Sequence, residues 1–470
     1  MTRIDILPDD ILLRIFDLYE DVKARIEGWQ SLVHVCRRWR NLVFGSPRRL
    51  NLQLYCTPQT PVKERLDVWP ALPLLIVGNM AVSSGTDNVI AALGQTNRVR
   101  AVSILTLPGS LSDKVLAPMQ ASFPELTILH LYTDDDEAPP VIPDSFLGGS
   151  APRLEFFSLS GFSFLGLPKL LLSATQLTSL HLLNIPHSGY ISPKAIVAAL
   201  SALPGLKTLF LQFRSPQSRP DWENQSLPPS NRFILPALND FHFKGVTEYL
   251  EELTTRIDAP QLNQMDLTFF NQIDFDCPRL ARFIDRTPKL RALDEAHVEF
   301  DHWTTEVRLR RRTSKTGFND LQIGILCREP DWQVSSIEQV CNNFLLSLPK
   351  VEDLYIGRQY SQLVWTYDAI ENSLWFQLFL PFTAVKNLYL SKEFAPGIAV
   401  ALYEGRMTDV LPSLQNIFVE ELETPRPFHE YIEQFAFLQF VSARQLRVSN
   451  NPINISVWGG NDDEPDPEHG

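Results

Sequence analysis

The sequence predicts an α/β chain in which helices come first and a long array of strand–helix units follows. Two amphipathic helical segments lie within residues 1–50, and an apolar pattern then recurs every 23 to 34 residues. Proline precedes most copies of that pattern. We therefore expect a helical segment at 1–50, a connector with a short strand at 51–88, a solenoid at 89–455 and an acidic, disordered tail at 456–470. In the solenoid, the strands form a curved parallel sheet with the helices on its outer face.

The N-terminal segment holds two helical patterns. Pro8 suits a first helical position because its φ is fixed at a helical value, and Asp9 and Asp10 bring negative charge to the positive end of the helix dipole. The apolar residues of the first pattern share one broad face: Ile11, Leu12, Ile15, Phe16 and Tyr19. The second pattern has two apolar faces with arginines between them, formed by Trp29, Leu32, Val33, Cys36 and Val43 on one side and by Val35, Trp39 and Leu42 on the other.

This segment carries more apolar surface than so small a module buries by itself. We therefore expect a docking partner to cover the excess. The expectation fails if the chain itself fully encloses Leu12, Phe16 and Trp39.

At these residues the segment resembles an F-box. The family opens on Leu-Pro and an acidic pair, continues with an Ile/Leu helix, and ends with a Val-small-Arg-x-Trp helix. The matching residues are Leu7-Pro8-Asp9-Asp10-Ile11-Leu12, Ile15-Phe16, Leu32, Val35-Cys36-Arg37-Arg38-Trp39-Arg40 and Leu42. The resemblance covers about a tenth of the chain. It implies binding to the Skp-family linker of a cullin-RING ubiquitin ligase through Leu7, Pro8, Ile11, Leu12, Ile15, Phe16, Val35, Cys36, Trp39 and Leu42.

One departure from the family lies between the two helices. Residues Glu20 to Gly28 make the connection longer than usual, which could reshape the contact with a linker. The alternative interpretation is an amphipathic helical hairpin that only caps the rest of the chain.

The repeated pattern has the form apolar-x-x-apolar-x-apolar, preceded in the connector by a short strand around Leu52 and Leu54. Its period lies at or just above that of leucine-rich repeats. The first positions of the copies are Val99, Leu126, Leu154, Leu177, Leu206, Leu238, Leu262, Leu290, Phe318, Val351, Val385, Leu414 and, more weakly, Ala443.

Proline lies two residues before the first position in eight copies. Proline stops a helix and favours extended geometry in its predecessor, so it belongs where a helix gives way to a strand. These prolines are Pro124, Pro152, Pro204, Pro236, Pro260, Pro288, Pro349 and Pro412.

The repeats resemble leucine-rich repeats, but irregular ones. The Asn or Cys that the family carries eight residues after the first position is missing in the twelve copies from Val99 to Leu414, and Glu295 interrupts the apolar pattern of one copy. The alternative is an α/β protein whose strands and helices alternate without stacking into an array.

Strand residues alternate between faces, so one residue of each copy points away from the core. Stacked repeats align these residues in one ribbon on the concave surface. The ribbon comprises Ser103, His130, Ser158, His181, Phe210, His242, Asp266, Asp294, Gln322, Tyr355, Tyr389, Phe418 and Arg447. The predicted substrate-binding residues are its aromatic and histidine members: His130, His181, Phe210, His242, Tyr355, Tyr389 and Phe418.

The neighbouring outward column becomes acidic or amide-bearing toward the C-terminus: Asp240, Gln264, Asp320, Asp353, Asn387, Asn416 and Gln445. This pattern predicts a partner that carries basic and apolar groups. The alternative is that loops between irregular repeats cover some of these side chains.

Composition narrows the functional classes. The chain has 470 residues and a net charge of −13, which argues against general nucleic-acid binding because neutralising phosphates requires a cationic surface. No apolar run approaches the length of a membrane span, and the N-terminus lacks the apolar core of a signal peptide. The five cysteines are scattered, which indicates a reducing compartment, the cytosol or the nucleus.

The sequence contains only weak signals of a catalytic, phosphate-binding or metal-binding site. Phosphate-binding glycine motifs and the Gly-x-Ser-x-Gly nucleophile motif are missing from the sequence. The cluster at His297, Glu299, Asp301 and His302 is interpreted as a solvated edge, and the basic run 308–315 as a loop between repeats. We therefore expect no catalytic residues, no metal and no cofactor.

The expected function is that of a non-catalytic substrate adaptor of a Skp-cullin-F-box ubiquitin ligase. By the resemblance, the N-terminal helices bind the linker, and through it a cullin, while the repeats hold a protein substrate. The alternative is a leucine-rich-repeat scaffold or inhibitor unconnected to ubiquitin. Neither nucleic acid nor a membrane is an expected partner.

Overall fold

A computed structural model describes most of the chain. The described residues are 7–22, 32–45, 52–68, 71–80, 85–135, 138–220, 232–270, 277–291, 293–311, 320–343, 348–358, 371–404, 410–420 and 453–458. The chain divides into two compact units. The first comprises Met1–Ile191 and Ala198–Leu206, and the second comprises Ser192–Val197 and Lys207–Gly470.

The helices are mostly short. In chain order they are α1 (Asp9–Val22), α2 (Arg37–Gly45), α3 (Val62–Val68), α4 (Thr86–Leu93), α5 (Gly109–Leu116), α6 (Leu167–Leu171), α7 (Pro193–Leu200), α8 (Thr247–Arg256), α9 (Pro278–Arg286), α10 (Pro330–Asn343), α11 (Asn372–Phe379) and α12 (Ala395–Glu404). Single 3₁₀ turns lie at Pro118–Gln120, Phe146–Gly149, His187–Gly189 and Leu348–Lys350.

The strands alternate with these helices. They are β1 (Leu52–Tyr55), β2 (Leu74–Asn79), β3 (Val99–Leu105), β4 (Ile128–Tyr132), β5 (Phe156–Ser160), β6 (Ser179–Ile185), β7 (Thr208–Phe213), β8 (Phe233–Ile234), β9 (Asp240–Gly245), β10 (Ile257–Asp258), β11 (Gln264–Phe270), β12 (Glu295–Phe300), β13 (Thr304–Arg310), β14 (Asp320–Leu326), β15 (Asp353–Arg358), β16 (Asn387–Leu390), β17 (Asn416–Glu420) and β18 (Asn454–Trp458).

The first unit contains six parallel strands in sequence order, β1 to β6. Its sheet begins earlier than expected, because residues 51–88 are not a connector with one strand. They contain β1, α3 and β2, and β2 pairs with both β1 and β3. Pro58 lies in a tight turn closed by a hydrogen bond from the Thr60 N–H to the Thr57 carbonyl. This turn leads from β1 to α3, so Pro58 lies within the array and not in an extended connector.

The second unit contains ten strands in the order β7-β9-β11-β14-β13-β12-β15-β16-β17-β18. All neighbours are parallel except at β13, which is antiparallel to both β12 and β14. The short strands β8 and β10 pair separately. Both units are therefore α/β, with largely parallel sheets, as the sequence predicts.

Each of the eight prolines that precede the repeated pattern occupies the second position of a four-residue turn that leads toward a strand. In all eight turns the first residue's carbonyl accepts a hydrogen bond from the N–H of the pattern's first apolar residue, at N···O distances of 3.0 to 3.4 Å. The turn from Phe123 to Leu126 is one example. Proline fits this position because its fixed φ matches the turn. Among the described residues, every first position of the pattern is buried, from Val99 to Leu414; Phe318 and Ala443 lie outside the described residues.

The antiparallel strand comes from a hairpin inserted into the parallel array. Only Asp301 to Trp303 separate β12 from β13, and the Asp301 N–H donates to the Thr304 carbonyl at 2.8 Å. A connection this short cannot make the crossover that parallel strands need. The chain therefore returns through β13 to β14 beside β11, and α10 carries it back to β15 beside β12.

The helices pack on one side of each sheet. In the second unit, Tyr249 of α8 contacts Phe213 and Phe243 with ring centroids 4.7 and 5.9 Å apart. Trp375 of α11 packs on Phe300 of β12 at 5.8 Å. Along most strands these buried side chains alternate with half-buried ones. We call the side that carries the alternating residues the open face of each unit.

The predicted end of the array also changes. Strand β18 pairs with β17 and extends the sheet to Trp458, three residues into the predicted tail. Residues 459–470 lie outside the described part of the chain, as does the predicted ribbon residue Arg447.

Candidate functional site

The N-terminal helices α1 and α2 pack against each other. The rings of Phe16 and Trp39 lie 4.8 Å apart at an interplanar angle of 58°. Arg38 pairs with Asp9 at 2.5 Å and donates to the Leu7 carbonyl at 2.6 Å, so the start of α1 is fixed to α2. The sequence therefore produces a defined helix pair at its N-terminus.

The predicted linker-binding residues divide by exposure. Leu12 and Phe16 are buried, with 0 and 5% exposed. Leu7, Cys36, Trp39 and Leu42 are half-buried, and Pro8 is exposed. The remaining three are exposed aliphatic side chains: Ile11, Ile15 and Val35, at 37, 39 and 58%.

We expected a partner to cover Leu12, Phe16 and Trp39. Leu12 and Phe16 are instead buried within the chain itself, and Trp39 is half-buried. The excess apolar surface belongs to Ile11, Ile15 and Val35 instead. Ile11 and Ile15 lie one helical turn apart, so they form a single aliphatic strip along α1.

The open face of the second unit carries one continuous row of side chains, which we call the central row. Strand register places its members opposite one another in sequence across the sheet. They are Phe210, His242, Asp266, Gln322, Arg308, His297, Tyr355, Tyr389, Phe418 and Ser456.

Four rings of the central row form a stacked ladder. His297 and Tyr355 lie 4.4 Å apart, Tyr355 and Tyr389 4.2 Å, and Tyr389 and Phe418 4.6 Å, with interplanar angles of 3 to 9°. Burial raises the pKa of the Tyr355 hydroxyl, and the nearby Tyr389 hydroxyl and Glu295 carboxylate add to that effect. Because the ring faces cover one another, the ladder offers mainly ring edges and hydroxyl groups to a partner.

A second stack begins the same row. Phe210 and His242 lie 3.9 Å apart at 7°, and Nδ1 of His242 lies 3.3 Å from Oδ2 of Asp266. The predicted residues Phe210, His242, Tyr355, Tyr389 and Phe418 therefore share one row, but in two groups separated by polar residues.

The other two predicted residues belong to the first unit. Register aligns Tyr55, Val77, Ser103, His130, Ser158 and His181 there. His181 contacts the ring of Phe156 edge to face at 4.9 Å, and burial lowers the pKa of His130. Ser158 is only 2% exposed, so this outward position is covered.

Three members of the central row are not among the predicted ribbon residues: His297, Arg308 and Ser456. The repeat pattern predicts Asp294 at the position of His297, but Asp294 precedes β12, because β12 starts three residues later than the pattern implies. The sequence predicts a loop around Arg308, but this residue lies on β13. The segment Thr304–Arg310 alternates polar and apolar residues from Glu306 onward, which is the signal that could have revealed this strand.

The predicted cluster of potential ligands around His297 is not at a sheet edge. Strand β12 pairs with β13 on one side and β15 on the other, so it lies inside the sheet of the second unit. Within the described ranges, no three His, Cys, Asp or Glu side chains gather in an arrangement that could hold a metal ion.

An amide ladder runs beside the ring ladder. Asn387 donates to Asp353 at 2.6 Å, Asn416 to Asn387 at 2.7 Å, and Asn454 to Asn416 at 3.3 Å. Gln445, predicted for this column, lies outside the described residues, and Asn454 occupies the corresponding position on β18.

The inserted hairpin brings buried charges into the open face. Arg308 donates to Glu306 at 2.7 Å and to Gln322 at 3.0 Å, and Gln322 donates to Glu306 at 2.6 Å. Burial raises the pKa of Glu306 to about 7; Arg308 opposes the rise and the facing carboxylate of Glu299 adds to it. This closed network holds β13 against β14.

No protein-family model matches the chain, and no curated protein matches it. Among solved structures, the chain is similar to the crystal structure of the leucine-rich repeat-containing protein LegL7 from Legionella pneumophila, with 11% identity and a TM-score of 0.29. The similarity covers 83% of this chain and 97% of that chain.

Within the described residues, no helix combines the length and apolar character needed to cross a bilayer. The described helices are instead short, and their buried residues pack within the two units.

Replacing Tyr389 by alanine should open the end of the second sheet, because the change removes stacking on both Tyr355 and Phe418. We expect the local opening free energy of β15 to β17 to fall by about 3 kcal/mol. Hydrogen exchange of the backbone amides in these strands measures this change. Tyr389→Phe keeps the ring and should change protection by less than about 1 kcal/mol; equal loss in both variants would contradict the stacking role.

Because of Glu306, we expect the free energy of unfolding to fall as the pH rises. Its folded pKa of about 7 lies above the ordinary 4.5, so the stability from its bound proton is complete below 4.5 and disappears through 7. Relative to Glu306→Gln, the native protein should lose roughly 2–3 kcal/mol of unfolding free energy between pH 5 and 8.

Urea unfolding of both proteins at the two pH values tests this. The exposed residue Glu64 on α3 provides the control, because Glu64→Gln removes one carboxylate outside the buried network. If Glu306→Gln behaves as Glu64→Gln does, the raised pKa of Glu306 is wrong.

Proposed function

We propose that the chain is a non-catalytic adaptor that holds one protein on its open faces and another on its N-terminal helix pair. In this proposal, α1 and α2 bind the Skp-family linker of a cullin-RING ubiquitin ligase, and the strand rows bind the substrate. The supporting observation is the exposure of Ile11 and Ile15 on α1 and of Val35 in the turn before α2, on a helix pair held together by the contact of Phe16 with Trp39.

Exposed aliphatic side chains on a helix pair favour partner binding over a purely internal role. Fully covering one such side chain is worth about 1.5–3 kcal/mol, and these three are already partly covered. Their burial can therefore supply part of the binding energy of a helical linker. The F-box-like order of residues from Leu7 to Leu42 supports the identity of that linker.

An adaptor of this kind makes no bond itself. It raises the local concentration of substrate lysines near the ubiquitin thioester, which is a proximity effect. The aromatic and polar rows of the open faces support a protein-binding role for the array. Such a role places the chain in the cytosol or the nucleus.

The second candidate is a repeat scaffold or inhibitor unconnected to ubiquitin. The burial of Leu12 and Phe16 within the chain favours it, because a helix pair that only caps the array buries those side chains in the same way. The two candidates differ in whether α1 needs a partner.

Replacing Ile11 and Ile15 together by aspartate should release the linker, because it puts two carboxylates into an apolar contact. Co-purification of the full chain with a Skp-family linker should fall at least tenfold, or about 1.4 kcal/mol. The matched control is Val68→Asp with Leu172→Asp, two exposed aliphatic residues elsewhere in the first unit, at 78 and 56%. Equal retention of linker in both double variants would refute the linker contact.

A variant at the start of α1 tests the same contact independently. Leu7→Ala with Pro8→Ala should also release the linker. Expression alone and with the linker provides a further comparison, since an obligate partner should convert an aggregating chain into a soluble complex. Unchanged behaviour in both experiments would favour the scaffold.

A further inference from the structure

The open face of the second unit is acidic. Its ten strands place eight carboxylates on that face: Asp240, Asp266, Glu295, Glu299, Glu306, Asp320, Asp353 and Glu420. Three cations share the face: Lys244, Arg308 and Arg310. The excess is five negative charges with Glu306 ionised and four with it protonated, and its pKa of about 7 places the face between these values at neutral pH. This is about a third of the chain's net −13.

The cations on this face already have partners. Arg308 pairs with Glu306 at 2.7 Å and Arg310 with Asp320 at 3.5 Å. Lys244 lies over the ring of Phe270, 5.9 Å from its centroid. They therefore neutralise only part of the carboxylate charge, and the potential above the face is negative.

The first unit differs in composition. Its open-face positions, from Tyr55 on β1 to His181 on β6, are apolar, hydroxyl, amide or imidazole side chains. The cation on its strands is Arg100, at the bulge where the pairing of β2 with β3 shifts. The two open faces thus suit different chemistry, and only the second selects for charge.

We propose that the open face of the second unit binds a lysine- or arginine-rich segment of the partner protein. This inference rests on the proposed role of the open faces in holding a protein, and it names the chemistry of that protein. Like charges on the face disfavour acidic segments, nucleic acid and anionic membranes, so the complementary partner is cationic.

The carboxylates set the length of the segment. Asp353 and Glu306 are buried, at 2 and 6% exposed. The half-buried carboxylates of this region lie within the five neighbouring strands β9, β11, β14, β13 and β12: Asp240, Asp266, Asp320, Glu295 and Glu299. At about 4.8 Å between strands, they span about 19 Å. An extended segment of about six residues covers that distance, with basic side chains reaching the strands that it crosses.

The ladders beside this region complete the surface. The ring ladder presents the hydroxyls of Tyr355 and Tyr389, and the amide ladder ends at Asn454. Both ladders run from this region toward β18 and carry uncharged hydrogen-bonding groups, which fit the peptide backbone beyond the basic residues at that end. We therefore expect a segment whose charges lie toward one end and whose other end is polar.

The test uses the full chain and a fluorescein-labelled twelve-residue peptide with alternating lysine and serine. A peptide with glutamate in place of lysine is the charge-reversed probe. Fluorescence anisotropy should show binding of the lysine peptide and none of the glutamate peptide. Binding should weaken steeply as salt rises, because screening shortens the reach of the charges.

Neutralising three carboxylates of the face should weaken binding about tenfold. The variant combines Asp240→Asn, Asp266→Asn and Glu299→Gln, which keep side-chain shape. The matched control combines Asp67→Asn, Asp87→Asn and Asp113→Asn, three exposed carboxylates on helices of the first unit. It changes the net charge equally and should bind as the native chain does.

Each result decides the proposal. Weaker binding of the face variant alone supports it, with circular dichroism showing that both variants fold. Equal weakening in both variants would mean that net charge alone attracts the peptide, and no weakening would mean that another surface binds it; either outcome overturns the proposal. The experiment contains no linker, so its failure is separate from failure of the ligase contact.

Discussion

The register of the strands is the constraint on which the other features depend. Nine strands of the array follow a turn in which the first apolar residue of the repeat donates its N–H back to the carbonyl three residues earlier. Because most strands begin at the same point of the repeat, chemically similar positions line up across neighbouring strands. Alternating burial then places one set against the helices and leaves the other set in rows.

Alignment turns single residues into ladders. Tyr355, Tyr389 and Phe418 would be isolated surface aromatics on separate strands, but register brings their rings to stacking distance. The same alignment links Asp353, Asn387 and Asn416, because the amide of Asn387 donates to the Asp353 carboxylate and the amide of Asn416 donates to Asn387. These contacts stabilise the sheet through its open side, so the rows have a structural role as well as the proposed binding role.

The inserted hairpin is where the array departs from its own rule. It adds an antiparallel strand, shifts the start of β12, and introduces Arg308 and Glu306 to the open face. A buried carboxylate among other carboxylates is costly, and the Arg308–Glu306–Gln322 network offsets that cost. The hairpin strands β12 and β13 carry three of the eight carboxylates of the second open face but also two of its three cations, so most of the net negative charge lies on the other strands. The N-terminal helices contribute aliphatic surface instead.

The sequence by itself determined the α/β class, the positions of most strands and the residues that fill the core. Apolar spacing and proline turns are local signals, and local signals survive in a single sequence. The N-terminal helices were equally visible, since their caps and apolar faces are contained in a few turns.

Only the tertiary structure decided which strands become neighbours and which side chains remain exposed. Pairing of β11 with β14 joins segments far apart in the chain, and no local pattern encodes that choice. Exposure at α1 depended on what packs beside it, so Leu12 and Phe16 became core while Ile11 and Ile15 stayed outside. Likewise, the predicted aromatics proved to cover one another, because stacking depends on the distance between strands and the spacing of residues along one strand cannot reveal it.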